Sequence, residues 1–431
     1  MKRVFLALVV TCSAALSTVT VTGQQGQRGL PACDPDNGGL TLPAGFCALV
    51  VHKGVNVNAR HLLVMPNGDV FVSIRATGQT PGALLGLRDT NGNGKFDDPG
   101  DLAERFGTGA HGLVYRNGYL YYATPTTIER FKLNPGELKP AGAAEIIVKG
   151  MRGTGGHNEK DIAFDDQGNV YVNIGLPSNA CAIPDRQPGG KGQDPCPQLE
   201  DGGGIWRFKA DVPNQEYSRA AKYATGMRQP VALAWHNGRL YAAMNSRDSL
   251  DTLYPKMFTA EDNALRPLEP LLEINQGDQF GWPYCFFDKQ AGKMILAPEY
   301  GGDGKSLGRC AQYKAPAATF PAHYAPVGLM AYTGTQFPAK YRGGLFMTSH
   351  GSWNRAPLPQ GGYNILYQPF ANGHPAGEAE VFADGFKGSE PLLDPSKAVA
   401  RPNGTAQGPD GSLYITESSK GKIWRVIYRT R

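Results

Sequence analysis

Beyond its first residues the chain has no long hydrophobic stretch, little charge, no metal-knuckle cysteines and no long amphipathic helical repeat. Each absence closes off a class of protein. The one early apolar run, Val4 to Val10, is too short to span a bilayer, and no later segment is long enough. Charged residues make up 19% of the chain, and the 43 Lys and Arg, less Lys2 and Arg3 of the leader, leave 41 against 38 acidic residues, a net charge of +3. So mild and scattered an excess gives no footprint for nucleic acid. The cysteines form neither a CxxC knuckle nor a CxxCH haem site. No dinucleotide-type glycine pattern opens a strand–helix unit, which argues against a nicotinamide cofactor.

What is plentiful is turn chemistry, with 56 glycines and 33 prolines. That usage suits many short strands joined by many turns. Lys2 and Arg3, the apolar run and the small residues that follow to Gly23 predict a secretory leader over residues 1–23, cleaved near Gly23–Gln24. A lipoprotein site at Cys12 is the alternative. The mature protein is expected to be periplasmic or secreted. Its six remaining cysteines fall into local pairs, so Cys33–Cys47, Cys181–Cys196 and Cys285–Cys310 is the simplest of the fifteen connectivities.

A strand–turn–strand phrase recurs six times. It reads LLVMPNGDVFVSIR from Leu62, GLVYRNGYLYYAT from Gly112, IAFDDQGNVYVNIG from Ile162 and ALAWHNGRLYAAMN from Ala232. It returns in a longer form from Met330 and as TAQGPDGSLYITES from Thr405. Alternating apolar residues flank a Gly-bearing turn each time, and several copies are followed by a third strand such as TIERFKL, GIWRFKA or KIWRVIY. The repeat predicts an all-β fold, a six-bladed β-propeller filling residues 24–431 with no second domain. An insertion between Gly238 and Gly344 carries the Cys285–Cys310 pair.

Four motifs stand on this repeat. Gly153-Thr154-Gly155-Gly156-His157-Asn158 puts a histidine on a glycine loop, where it can accept a proton near neutral pH. Phe280-Gly281-Trp282-Pro283-Tyr284-Cys285 lies in the insertion, and His350-Gly351-Ser352-Trp353-Asn354-Arg355 follows it, while Gly226-Met227-Arg228-Gln229-Pro230 lies between blades three and four. In this order, from about Leu42 to Tyr428, they resemble the glucose/sorbosone dehydrogenase family, soluble sugar dehydrogenases dependent on pyrroloquinoline quinone (PQQ). The sorbosone dehydrogenase-like branch is the nearer likeness.

The resemblance implies an oxidoreductase that takes a hydride from an aldose, sorbosone or related sugar, with PQQ and calcium as cofactors and an external electron acceptor as partner. It implies His157 as base, Arg228 at the reacting quinone oxygens, Arg401 against the PQQ carboxylates and Arg355 as a further clamp. It places a calcium on the loop Asn245 to Asp251, through the carbonyls of Asp248 and Ser249. Trp282 and Trp353 are expected to pack and shape turns, and Asn179 to supply a further polar contact. Where the best-known glucose dehydrogenases carry Asp, this chain has Gly156 and Leu176, which leaves the partner of the His157 ring open. A second calcium signal is local. Asp89, Asn91, Asn93 and Asp97 stand at loop positions one, three, five and nine, Lys95 is at seven, and Gly94 takes the sixth-position turn. Two other readings are a calcium-dependent lactonase or esterase propeller and a non-catalytic propeller that binds glycans or proteins.

Overall fold

The recurring phrase folds as six antiparallel sheets around an axis, each of four strands, with a fifth short strand, Gln215–Glu216, added in parallel to the outer strand of the second. The structure, a computed structural model, describes residues 1, 30–54, 58–153, 155–388 and 390–429. Blade 1 runs from Ala59–Val64 to Leu102–Phe106, blade 2 from Leu113–Arg116 to Glu145–Lys149, and blade 3 from Ile162–Phe164 to Lys222–Thr225. Blade 4 runs from Gln229–His236 to Ala318–Phe320, and blade 5 from Pro326–Ala331 to Glu380–Ala383. Blade 6 combines Pro402–Gln407, Leu413–Glu417 and Ile423–Tyr428 with Phe46–His52, so the earliest strand completes the last sheet. The inner strand of each blade touches that of the next all the way round. Residues Ala32–Arg431 form one unit. The leader expected over 1–23 lies, Met1 aside, outside the described residues.

Local sequence explains the hairpins. Asn117 and Gly118 have φ of 50° and 81°, Asn237 and Gly238 50° and 73°. Two successive positive φ values make the tight turn whose twist matches antiparallel strands, and Asn-Gly tolerates it best. Each sheet is packed on both faces by its neighbours, so Val70–Ile74 and Leu345–Ser349 are buried at every position rather than alternately.

Blade 4 carries the additions. Helices Leu250–Leu253 and Ala260–Leu265 precede its third strand, Glu269–Ile274, and a hairpin, Cys285–Asp288 with Lys293–Leu296, follows it. The hairpin is tied by Cys285–Cys310, the facing loop of blade 3 by Cys181–Cys196, and the segment before the closing strand by Cys33–Cys47. Trp282 packs among the first two of these disulfides and Leu176. Among the described residues no helix is long and apolar enough to cross a membrane.

Candidate active site

At one end of the channel the inner strands open with irregular pairing. Register shifts fall between Ala59 and Leu62, Gln229 and Ala232, Pro326 and Gly328, and Pro402 and Thr405. Such bulges leave residues outside the ladder and re-aim their side chains. Arg60 and Asn403 lie within two of them and face a cavity of about 440 Å³. His157, Arg228 and Asp248 line the same cavity.

His157 sits at φ 62°, a left-handed backbone that its glycine-rich loop supports. Its ring nitrogen Nδ1 donates to the Leu176 carbonyl. With the proton fixed there, Nε2 carries the lone pair. Burial, and then the Arg228 charge, bring the pKa down to about 4. The Leu176 N–H in turn donates to the Arg228 carbonyl at 3.1 Å. The backbone of one residue, Leu176, therefore fixes both base and arginine. Behind it, Gly175 leaves no room for a side chain, since a Cβ would lie 1.8 Å from Gln229 Oε1.

Arg228 is 3% exposed. Its guanidinium donates to Ser246 O and to Asp248 Oδ2, each at 2.8 Å. Asp248 also receives Arg186 at 3.3 Å and Asn354 Nδ2 at 3.1 Å. Burial alone would raise its pKa, but the Arg228 and Arg186 charges hold it below the usual carboxylate range. Asn179 clamps the Asp248 backbone from both sides: Nδ2 donates to its carbonyl at 2.8 Å, and Oδ1 accepts its N–H at 2.9 Å. Trp282 Nε1 donates to Asn179 O at 3.0 Å, so the insertion positions the site through two hydrogen bonds. Glu269, on the same wall, is pushed up to about 8 by burial and is therefore neutral at pH 7.

Of the expected clamps, Arg228 alone is on the cavity wall. Arg401 turns its guanidinium to the carbonyls of His350 and Gly351, at 3.2 and 2.6 Å, and lies over the Tyr363 ring. Arg355 lies over Tyr324 with its Nη1 3.4 Å from Ala322 O. The cations that do line the cavity, and that the sequence reading missed, are Arg60, Arg75 and Arg186. A signal for Arg60 was present, because Arg60, Arg228 and Arg401 all stand where an inner strand begins. Trp282 is buried as expected, whereas Trp353 is 60% exposed at the cavity, an aromatic face instead of a packing anchor.

The expected calcium ligands have other partners. The Asp248 carbonyl takes Asn179, and the Ser249 carbonyl takes the Leu253 N–H of the short helix. In the Asp89 loop, the Asp89 carboxylate accepts the N–H groups of Gly92 and Gly94 at 2.6 and 2.7 Å. Asn91 and Asn93 accept the N–H groups of Asn93 and Lys95 at 2.9 and 2.8 Å. Asp97 turns away to Lys53 N and His52. Among the described residues no group of three or more His, Cys, Asp and Glu is arranged to hold a metal.

Five buried polar atoms on cavity residues have no partner: Arg60 Nε, Arg228 Nε, His111 Nδ1, Gln229 Oε1 and Asn403 Oδ1. Four arginines, donors and acceptors left open, and an exposed indole suit an anionic planar molecule with a polar edge. PQQ is such a molecule, a planar trianion with a ring N–H.

A six-bladed propeller with such a channel defines a class, and sequence comparison gives the family. The model for TrAA12-like proteins matches residues 40–430, and the chain belongs to that family, a PQQ-dependent sugar dehydrogenase domain. A curated relative from Borreliella burgdorferi, an uncharacterized protein, is 29% identical over 209 residues, 48% of each chain. The match thus spans about half the length of that relative. Among solved structures, the calcium structure of the Trichoderma reesei family AA12 carbohydrate-active enzyme is similar at a TM-score of 0.70 and 18% identity, over 90% of this chain and 97% of that one. The holo PQQ domain of pyranose dehydrogenase from Coprinopsis cinerea gives 0.69 and 16%, over 90% and 97%. The PQQ-bound aldose sugar dehydrogenase from Streptomyces coelicolor gives 0.54 and 18%, over 90% and 99%. At these identities the structural likeness carries the fold.

Proposed function

We propose that this protein is an exported PQQ-dependent oxidoreductase that oxidises a hydroxyl of an aldose, sorbosone or related sugar and passes the electrons to an external acceptor. The observation that carries the reading is His157. Its Nδ1–H is committed to Leu176, and its Nε2 lone pair stands beside Arg228 on the cavity wall. PQQ, when bound, supplies the acceptor for the hydride and its two electrons. His157 Nε2 takes the hydroxyl proton of the sugar as that C–H bond breaks, leaving a carbonyl product. Arg228, held by Ser246 and Asp248, stabilises the negative charge that develops on the acceptor's oxygen. Trp353 offers a face on which sugar or cofactor can stack.

A calcium on the Asp248 and Ser249 carbonyls would complete this site, since the Asp248 carbonyl accepts one hydrogen bond and keeps a second lone pair, while the Asp248 carboxylate serves two arginines. The Asp89 loop is retained as a structural calcium site, through Asp89, Asn91, Asn93 and Lys95. Export rests on the leader and on the three disulfides.

The test is reconstitution. Purified protein given PQQ and calcium should reduce an artificial dye with aldoses or sorbosone, and His157→Ala should lose about 10²–10⁴-fold in turnover while retaining PQQ. Failure to retain PQQ would turn the assignment towards the non-catalytic binding propeller.

A further inference from the structure

Arg60 is a buried cation that the protein itself does not satisfy. It is 8% exposed, its Nε has no partner, and no carboxylate among the described residues pairs with it. The adjacent Glu159 is taken by Arg75 at 2.6 Å. Burial and the Arg75 charge lower the Arg60 pKa to about 10, so it stays charged at neutral pH. An unpaired buried guanidinium is expensive unless a ligand anion completes it.

Two acceptors on the neighbouring inner strands are open as well. His111 Nε2 donates to Val327 O at 3.1 Å, which leaves Nδ1 as a lone pair with no partner. Its ring lies 4.2 Å from that of His61, whose two nitrogens face Val327 O at 2.9 Å and Asp161 Oδ1 at 3.3 Å. Acceptors on both sides raise the His61 pKa against its burial, and burial first, then the charge His61 can carry, holds the His111 pKa well below the ordinary histidine value. The second acceptor is Asn403 Oδ1 of blade 6. Blades 6 and 1 are joined here, since Thr416 Oγ1 donates to the Arg60 carbonyl.

One cationic donor with two lone-pair acceptors is the complement of a carboxylate next to a ring N–H. We propose that Arg60, His111 and Asn403 anchor the pyrrole-carboxylate edge of PQQ, Arg60 pairing with a carboxylate while His111 Nδ1 or Asn403 Oδ1 accepts the ring N–H. The assignment rests on the PQQ reading of the cavity. It gives to Arg60 the clamping role expected of Arg401, whose hydrogen bonds go to the carbonyls of His350 and Gly351.

The test is equilibrium binding to the purified full-length protein, by tryptophan fluorescence and calorimetry, with PQQ and its trimethyl ester as probes. Wild type should prefer PQQ to the ester at least about tenfold. Arg60→Met should weaken PQQ about 10–100-fold, as expected for loss of a charge-assisted pair, and shrink that preference. The ligand-free variant should melt no lower than wild type, because an unpaired buried charge has been removed. If Arg60→Met melts lower, Arg60→Lys, which keeps the charge, should bind PQQ more tightly than Arg60→Met. PQQ binding unchanged in Arg60→Met, or equal in the Met and Lys variants, overturns the anchor and leaves the PQQ reading intact. A wild type that binds no PQQ overturns both.

Discussion

A histidine base needs its second nitrogen fixed, and here a backbone carbonyl does what a carboxylate does elsewhere. Leu176 stands where the resemblance expected Asp, and its side chain offers no acceptor, yet its carbonyl receives His157 Nδ1. A carbonyl fixes the tautomer without adding a full negative charge, so burial and the Arg228 cation outweigh its hydrogen bond and the Asp248 charge. The base therefore stays unprotonated far into acid. Activity requires neutral His157 and is lost as pH falls through its folded pKa. The acid limb of kcat/KM should accordingly lie near pH 4, well below the ordinary histidine value of about 6.5. A limb at pH 6–7 in the pH–rate profile would contradict this assignment of the base. His157 itself was legible in the sequence because the glycines before it are a local signal. Its partner was not, because a backbone acceptor has no side-chain signature.

Among the elements, the insertion of blade 4 has the clearest consequence for the site. Trp282 is 4% exposed and gives its indole N–H to Asn179 O, Asn179 holds the Asp248 backbone, and Asp248 holds Arg228. Trp282→Phe keeps an aromatic ring but removes that donor. It should cost about 1 kcal/mol in stability and lower PQQ-dependent kcat/KM at temperatures where the variant is fully folded. Unchanged kcat/KM would show that Asn179 holds its place without the indole. The Asp89 loop makes a separate test. If it binds calcium, millimolar calcium should raise the melting temperature by several degrees and a chelator should reverse the shift. An unmoved melting curve removes the loop as a metal site. The six hairpins were legible because all but the longer one from Met330 are written within about fifteen residues by alternation and a Gly turn. Arg75 and Arg186 were not, because each leaves its blade on a loop with no local motif, and only the closed ring brings them to one cavity. Arg401 shows the converse. Its place in the repeat matches Arg228, but the carbonyls of His350 and Gly351 and the Tyr363 ring draw its guanidinium aside.

At the scale of the whole molecule, the ring is closed by a strand whose membership in the last blade no local pattern reveals. Phe46 of that strand meets Phe337, Tyr341, Phe382 and Tyr428 with centroids 4.8 to 5.4 Å apart. Phe46→Ala should destabilise by about 3–5 kcal/mol, and because it loosens the closing seam it should lower the single melting transition rather than create a second one.

The pH dependence of stability is likewise set by buried groups spread over several blades. Burial is the leading cause that lowers the pKa of His52, His111, His157, His323 and His350, with His157 at about 4 and His350 at about 3. In the unfolded chain these residues titrate near 6.5, so between about pH 4.5 and 6.5 the unfolded state binds more protons and stability falls as pH falls. Glu269 works the other way. Its folded pKa of about 8 means that from its unfolded value upward the folded state holds the extra proton, so its contribution is lost as pH rises towards 8. His61 has a raised pKa, because Asp161 outweighs burial, and adds to that loss above 6.5. Five depressed histidines outweigh one carboxyl on the acid side, and Lys160, lowered to about 8 by burial, opposes Glu269 and His61 only as pH nears 8. The melting temperature of the ligand-free protein should therefore peak near pH 6.5, drop steeply towards 4.5 and decline gently towards 8. Glu269→Gln, which can still accept the Ser246 N–H, should flatten the alkaline decline and leave the acid one. A melting temperature that climbs steadily from pH 6.5 to 8 would mean that Glu269 is ionised in the folded protein, and the excess of the cavity's arginines over Glu159 and Asp248, which suits it to a trianion, would then shrink by one charge.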